Sequence, residues 1–553
     1  MLQDYSIGVF KKLKRMEILS SMGFHNVKIG LISILFYYLQ LLNYVKSEDI
    51  FTSMADIQNL LYSKKECLSM LNEYIIDEEQ RLQKIRDFIK DHENLKNDDE
   101  TDVEYYLGNP INAFLLIKSL TKDWKHLGTI MRHNASEIYI NKIESNVFLP
   151  GDDDLNGAAV ALFRLQDMYK VDTNKMAGGD ISGVKTSPNL NAEQCFEIGR
   201  QSYLNEDFYH TRIWMEEALR KWDVEQDKTI KREDILEYLA FSLYKQGNVN
   251  MALKKTDELL ELNPSHSRAQ GNKEWYQKDL DELEKSGKKG DEMEKVNADD
   301  EYNSPEQMNY HSLCRGDYPR DTSIQKKLKC RYVNRYNSPA LKVSPAKEET
   351  LNYKPWIVIY HDVLNDQEVK IVKELAYPRL KRATTFNSKT QKYEPADYRI
   401  SKSAWLREED HKVIVDINRR ISTITGLSME TAEDLQVANY GIGGHYDPHY
   451  DFSRNDEYDD DGNYIDKRIA TWMFYMSDVV AGGATVFPLV GVRSTPKKGS
   501  AAFWYNLKAS GNGDFDTRHA ACPVLAGSKW VSNKWIHERG QEFRRPCKLN
   551  PSL

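Results

Sequence analysis

Residues 440–451 read Tyr-Gly-Ile-Gly-Gly-His-Tyr-Asp-Pro-His-Tyr-Asp, which places His445, Asp447, His449 and Asp451 within seven residues. In a β-strand alternate residues share a face, so a His and an Asp one residue apart can point at a single ion. His449 with Asp451 meets that condition, and so does His445 with Asp447. Two imidazoles and one carboxylate on one side of a metal, with the other positions open, form the donor set of non-haem Fe(II) oxygen chemistry. The stretch therefore calls for a second His from a later strand, and the C-terminal candidates are His519 and His537.

Around this stretch the pattern is one of short strands. Runs at 356–360, 435–440, 469–476, 484–487, 501–506, 522–525 and 529–535 are rich in β-branched and aromatic residues. Gly482-Gly483, Pro496-Lys-Lys-Gly499 and Gly511-Asn-Gly513 punctuate them. Many short strands separated this way predict a sandwich or jelly roll, with flanking helices at 366–375 and 408–423. Upstream, residues 282–306 are charged and poor in apolar side chains, the composition of a flexible linker.

Residues 192–276 predict paired helices. Gly247, Ala252 and Pro264, with Tyr244 before them and Leu259, Leu260 and Leu262 between, fall at the spacing of a tetratricopeptide helix-turn-helix. Tyr203, Phe208, Tyr209, Trp214, Tyr238, Phe241 and Tyr244 crowd this unit. Aromatics at helical spacing mostly fill cores, but tyrosine keeps a polar tip. A row of them along a groove would suit proline-rich peptide in the polyproline II form. Residues 176–190, rich in Gly, Ser, Asn and Pro, mark a boundary. Before it, Ile50, Met54, Ile57, Leu61, Leu68, Leu71, Ile75, Leu82, Ile85 and Ile89 follow alternating steps of four and three, interrupted by Lys64 and Glu78. Such a heptad seam belongs either to a helix packed within its own domain or to a coil that pairs two chains.

At 553 residues, 40% hydrophobic and 29% charged, the chain suffices for about three domains with cores. A net charge of −8 gives no basic field, and nucleic-acid binding is not expected. The apolar run 29–45 contains Gln40 and Asn43 and is short for a membrane span of about 20 residues. It predicts a signal-peptide core cut near Ser47, with translation starting nearer Met22; retention as an anchor is the alternative. Six cysteines allow 15 full pairings, and the close pairs Cys314/Cys330 and Cys522/Cys547 are the expected bridges in a secretory chain. Asn134-Ala-Ser136 is an N-glycosylation acceptor triplet.

A resemblance joins these readings. The strings are Leu435-Gln-Val-Ala-Asn-Tyr-Gly, Pro448-His-Tyr-Asp, Arg468-Ile-Ala-Thr-Trp, Gly482-Gly-Ala-Thr-Val-Phe-Pro, Phe503-Trp-Tyr-Asn-Leu, Thr517-Arg-His-Ala-Ala-Cys-Pro-Val-Leu and Lys529-Trp-Val-Ser-Asn-Lys-Trp-Ile-His-Glu-Arg-Gly. In them the chain resembles the catalytic domain of the collagen prolyl 4-hydroxylase α-subunit family. The likeness continues over nearly the whole chain from Glu48, through Cys195-Phe-Glu, Tyr209-His-Thr and Trp214-Met-Glu.

The resemblance implies a multidomain α+β protein: a signal peptide or anchor at 1–47, a helical coiled-coil dimerisation domain at 48–175, and a TPR-like all-α peptide-binding domain at 190–280. A linker at 281–310 and a double-stranded β-helix (jelly-roll) catalytic domain at 311–553 complete it. It implies Fe(II), 2-oxoglutarate, O2 and L-ascorbate, with His449, Asp451 and His519 as metal ligands. Lys529 would bind the distal carboxylate of 2-oxoglutarate, as a fixed ammonium in an apolar pocket can through a charge-assisted bond. His537 would assist 2-oxoglutarate binding, Tyr440 and Thr485 would line its pocket, and Tyr203, Tyr209, Tyr238, Phe241 and Tyr244 would hold the peptide. The implied reaction is 4-hydroxylation of proline in X-Pro-Gly repeats of procollagen, giving succinate and CO2. The implied setting is the endoplasmic reticulum lumen, with protein disulfide isomerase as β subunit of an α2β2 tetramer. The C-terminal Asn550-Pro-Ser-Leu553 is no retention signal of the Lys-Asp-Glu-Leu type, so a partner would have to hold the chain there.

Two departures from the family stand out. His445 and Asp447 occupy positions where it commonly has Gln and Glu, which makes them mouth residues in this reading, and Phe208 and Phe241 replace frequent tyrosines. Two other functions compete: hydroxylation of a different secreted proline-rich protein, and non-catalytic binding of procollagen. Assays on Pro-Pro-Gly repeats against other peptides separate the first. The second is disfavoured by the presence together of His449, Asp451, His519 and Lys529.

Overall fold

The heptad stretch folds as a single long helix, α1 (Met54–Glu93), in a computed structural model that describes residues 49–93, 106–181, 183–185, 187–287, 304–334, 338–387, 392–453 and 466–550. The apolar run 29–45 lies outside the described residues, and among those described no helix is long and apolar enough to cross a membrane. Helices α2 (Pro110–Lys118), α3 (Trp124–Arg132) and α4 (Ser136–Asn146) follow. Tyr139 of α4 donates to Asp77 of α1 at 2.6 Å, and Lys142 pairs with Glu73 at 2.8 Å. These contacts leave much of the seam uncovered: Leu61, Leu68, Leu71, Ile75, Leu82 and Ile89 are exposed. Ile50 is a correction to the seam. It precedes α1 in a one-turn helix and is 3% exposed, unlike the exposed seam residues of α1.

Helix α5 (Asp152–Tyr169) leads into five antiparallel helices: α6 (Ala192–Leu204), α7 (Phe208–Val224), α8 (Arg232–Lys245), α9 (Val249–Leu262) and α10 (Ser267–Lys285). Their starts are written locally. Asn191 accepts from the Gln194 amide at 2.8 Å while Gln194 accepts from the Asn191 amide at 3.0 Å, a reciprocal cap. Trp214, Met215, Ile235, Leu239 and Leu259 close the core between the helix layers. The charged segment expected to be a linker is helical at both described ends, through α10 to Lys285 and from Pro305 in α11 (Pro305–Arg315).

Among the described residues, two main sheets build the C-terminal part from thirteen strands: β1 (Cys330–Val333), β2 (Ala346–Tyr353), β3 (Trp356–His361), β4 (Lys381–Arg382), β5 (Ser401–Leu406), β6 (Leu435–Tyr440), β7 (Tyr446–His449), β8 (Arg468–Tyr475), β9 (Thr485–Phe487), β10 (Val492–Ser494), β11 (Ala501–Tyr505), β12 (His519–Ala521) and β13 (Trp530–His537). The larger sheet has the order β1-β2-β3-β11-β8-β13-β6-β5-β4, the smaller β7-β12-β9-β10, and every pairing is antiparallel. Period-two alternation sorts the side chains. Ala470, Trp472 and Phe474 of β8 face helices α12 (Asp366–Ala376) and α13 (Lys412–Thr425), whereas Met473 and Tyr475 face the smaller sheet. Central strand β6 is buried at every position because both of its faces are covered.

The disulfide expectation is corrected. The bridge joins Cys314 to Cys522, with a Cα–Cα distance of 5.5 Å, while Cys330 and Cys547 are exposed free thiols. Helix α11 packs on the smaller sheet through Tyr310, Leu313, Val486 and Ala520, which brings Cys314 within bridging reach of Cys522. Cys330 sits on the edge strand of the other sheet, so closeness in sequence did not become closeness in space.

Candidate active site

The opening stretch forms the end of β6, a glycine loop and β7. In the β7–β12 ladder Tyr446 lies opposite Ala521 and His449 opposite His519. Three steps on one strand therefore face two on the other, which is a β-bulge at Asp447 and Pro448. The extra residue puts Tyr446 and His449 on the same face, their rings stacked at 3.6 Å. His445 and Asp447 are turned away. His445 is 4% exposed, its Nε2 3.5 Å from Asp447, so this histidine is buried and not at a mouth. Burial first, then the Arg164 guanidinium, hold it neutral.

His449, Asp451 and His519 bring one ligand atom each to within 4.8 Å of one another. Each imidazole turns Nδ1 to a main-chain carbonyl, His449 to Asp447 at 2.7 Å and His519 to Thr517 at 3.1 Å. With Nδ1–H donating there, each Nε2 lone pair is left for an ion. The Nε2 atoms stand 3.8 and 3.6 Å from the Asp451 carboxylate. Burial, then His519, hold His449 well below the ordinary imidazole range. Burial opposes ionisation of Asp451, but the two imidazoles, Arg468 and Thr471 outweigh it and keep the group a carboxylate. Two imidazole nitrogens and one carboxylate oxygen fit a divalent iron.

Two residues that the sequence reading passed over hold this carboxylate. Thr471 Oγ1 donates to Asp451 Oδ2 at 2.7 Å, and Asn506 Nδ2 donates to Thr471 Oγ1 at 2.9 Å. Both lay inside the quoted strings, but only the pairing of β8 with β11 joins them.

Lys529 is 1% exposed, and its ammonium has no hydrogen-bond partner among the described residues. It lies 4.7 Å from the centre of the Tyr440 ring. Burial lowers its pKa to about 7 and raises that of Tyr440 to about 12, so the phenol stays a donor. A buried, unpaired ammonium calls for an anionic partner, and a carboxylate ligand supplies one. Thr485 is buried on β9 beside the phenol of Tyr475, which bonds Ser494 at 2.8 Å. His537 stands outside the three-residue group. Its Nε2 is 3.1 Å from Glu433, its Nδ1 3.7 Å from Asp466, and Glu433 also pairs with Arg468.

In the helical domain the rings of Tyr203, Tyr238, Phe241, Phe208 and Tyr244 form one half-buried row. Centroids are 4.8 Å apart for Tyr203–Tyr238, 5.6 Å for Tyr203–Phe241, 5.9 Å for Phe208–Phe241 and 6.5 Å for Phe241–Tyr244. Tyr276 stacks on Tyr244 at 4.4 Å, and exposed Trp275 donates to the Tyr244 hydroxyl at 2.8 Å, extending the row beyond the residues the sequence singled out. Tyr209 stands apart from these ring contacts, against His210 and Arg212.

A jelly roll of two antiparallel sheets, carrying a two-His, one-carboxylate group and a buried lysine, defines the class of Fe(II)/2-oxoglutarate oxygenases. Residues 435–537 match the model of the 2OG-Fe(II) oxygenase superfamily. Residues 53–183 match the prolyl 4-hydroxylase alpha-subunit N-terminal region, and residues 192–282 the prolyl 4-hydroxylase peptide-substrate-binding domain. The chain is 46% identical over 516 residues to prolyl 4-hydroxylase subunit alpha-1 of Homo sapiens, covering 90% of this chain and 96% of that one. It is 46% identical over 517 residues to subunit alpha-2 of Caenorhabditis elegans, covering 91% and 94%. A crystal structure of a viral collagen prolyl hydroxylase from Paramecium Bursaria Chlorella virus-1 with 2OG shares 27% identity, at a TM-score of 0.26 over 32% of this chain and 94% of that one. The chain belongs to the prolyl 4-hydroxylase α-subunit family, and it is a dioxygenase that uses Fe(II) and 2-oxoglutarate.

Proposed function

We propose that this chain hydroxylates proline at C4 in X-Pro-Gly repeats of procollagen-like peptides, with His449, Asp451 and His519 holding Fe(II) and Lys529 anchoring 2-oxoglutarate. The observation that carries the reading is the three-ligand group found together with a buried ammonium that lacks a hydrogen-bond partner among the described residues. Bound there, iron and 2-oxoglutarate supply the O2 activation, with ascorbate in support, that ends in succinate, CO2 and hydroxyproline. The protein's own part is to orient the two imidazoles through their Nδ1 contacts so that each Nε2 faces the metal position, to keep Asp451 ionised and oriented through Thr471, and to bury the ammonium so that it discriminates for a carboxylate. Tyr440 and Thr485 line that pocket, and His537 assists from the Glu433–Arg468 side.

The aromatic row with Tyr203, Tyr238, Phe241 and Tyr244, with Tyr209 at its margin, retains a long proline-rich substrate between turnovers. Two sites on one chain raise effective concentration. Two chains pair through the exposed seam of α1 and the exposed apolar side chains Ile111, Phe114, Ile117 and Trp124 of the adjoining helices. Protein disulfide isomerase joins as β subunit in an α2β2 assembly in the endoplasmic reticulum lumen, where Asn134, exposed between α3 and α4, accepts a glycan. The test is co-expression with protein disulfide isomerase, followed by mass spectrometry of Pro-Pro-Gly peptides with and without 2-oxoglutarate. A gain of one oxygen per modified proline, dependent on 2-oxoglutarate, is expected; peptide binding without 2-oxoglutarate consumption would leave only a binding protein.

A further inference from the structure

The first described residues of the chain, Asp49 to Ala55, are built into the catalytic sheet. Thr52 and Ser53 are fully buried, and the Phe51 carbonyl accepts from the Ile442 amide at 3.0 Å. A Cβ on Gly441 would lie 1.9 Å from that same carbonyl oxygen, so the segment passes where only glycine leaves room. On its other side the Phe51 ring lies where a Cβ on Gly157 of α5 would stand, 2.3 Å away, and the Ile50 amide donates to Asp154 at 2.6 Å. Asp56, in the first turn of α1, pairs with Lys402 of β5 at 2.7 Å.

This segment meets β6 at Asn439. Strand alternation sends Tyr440 toward the pocket and Asn439 to the opposite face, fully buried. Asn439 Oδ1 accepts from the Ala55 amide at 2.9 Å and from the Ser53 hydroxyl at 2.9 Å. A main-chain amide can only donate, so the orientation of the Asn439 amide is determined. Its Nδ2 then donates to the carbonyl of Lys529 at 3.2 Å, alongside the Tyr440 amide at 3.1 Å.

We propose that Asn439 is a positioning residue for 2-oxoglutarate binding, tying the main chain of Lys529 to the N-terminal segment 49–55. The proposal rests on the reading of Lys529 as the carboxylate anchor. Helix α1 begins at Met54, directly after Ser53, so the start of α1 and the main chain of Lys529 share the Asn439 side-chain amide.

The test uses the full chain in the assembly in which it is purified, with Mn(II) in the metal site and without O2, and measures 2-oxoglutarate affinity by calorimetry. Asn439→Asp keeps the acceptor for Ser53 and Ala55 but removes the donor to Lys529. Gly441→Ala displaces the segment and leaves both residues in place. In each the dissociation constant of 2-oxoglutarate is expected to rise on the order of ten-fold, as for other supports of a binding group. Mn(II) affinity stays within about two-fold by the same reasoning, because Asn439 does not touch the metal group. Under turnover the KM for 2-oxoglutarate rises with it and kcat changes less. Ser53→Ala, which deletes one hydroxyl and no bulk, shifts affinity the same way by a smaller factor and serves if either other variant does not fold. Unchanged 2-oxoglutarate affinity in the folded variants, while Lys529→Ala loses it, would overturn the tie alone. Parental affinity in Lys529→Ala would overturn the anchor and the proposal with it.

Discussion

Raising the pH from 6 to 8 is expected to weaken 2-oxoglutarate binding through Lys529. Its ammonium is 1% exposed, lacks a hydrogen-bond partner among the described residues, and is brought by burial from 10.5 to about 7. A ligand carboxylate at that ammonium stabilises the charged form and raises the pKa again. The sign follows. Below pH 7 the free protein already carries the proton that the complex requires; above it, binding must take one up. With the free group at about 7, uptake is ~0.1 proton at pH 6 and ~0.9 at pH 8, and the dissociation constant rises roughly ten-fold between them. Anaerobic calorimetry with Mn(II) in buffers of different protonation enthalpy measures the uptake directly. Lys529→Arg stays charged throughout and is expected to flatten the dependence, at reduced affinity because the fork differs in shape. Absence of proton uptake at pH 8, or the same pH dependence in Lys529→Arg, would refute the reasoning.

Three further outcomes can be checked. Asp451→Ala abolishes 2-oxoglutarate-dependent hydroxylation while Asp447→Ala keeps most of it, since the bulge turns Asp447 from the cluster; succinate release measures both, and the reverse ranking counts against the assignment. Thr471→Val removes the donor to Asp451 and lowers metal affinity on the order of ten-fold, read by Mn(II) titration, with no effect if the carboxylate is held by the metal alone. Non-reducing peptide mapping recovers Cys314 linked to Cys522, and replacing both by Ala lowers stability by about 2–4 kcal/mol in denaturant unfolding.

Much of the architecture was legible because local chemistry writes it. Asn191 and Gln194 cap α6 reciprocally and Asn365 with Glu368 caps α12, so helix starts were encoded within four residues. Nearly continuous apolar runs at 435–440 and 469–476, rich in β-branched and aromatic residues, marked strands that the sheet uses almost unchanged. Strands such as β1 and β5 escaped, because the short exposed run Cys330–Val333 and the lysine- and serine-containing run Ser401–Leu406 lack a hydrophobic period.

By itself the sequence offered a dense His and Asp stretch, an aromatic helical unit and a heptad seam, which short-range pattern carries, and the resemblance of its strings to a known family added the later His519 and Lys529 and with them the class. Spacing left the two His-x-Asp pairs equivalent and the resemblance favoured His449 with Asp451; the tertiary structure supplies the physical reason. Both pairs have the same spacing, and the choice lies in one extra residue that β7 spends against β12, a property of strand pairing rather than of either strand. The same holds for the bridge from Cys314 to Cys522, 208 residues apart, and for Ile50, which in the sequence continues a seam and in the fold belongs to the segment under Asn439. Contacts of that separation come from how sheets and helices stack, and no window of sequence contains both partners.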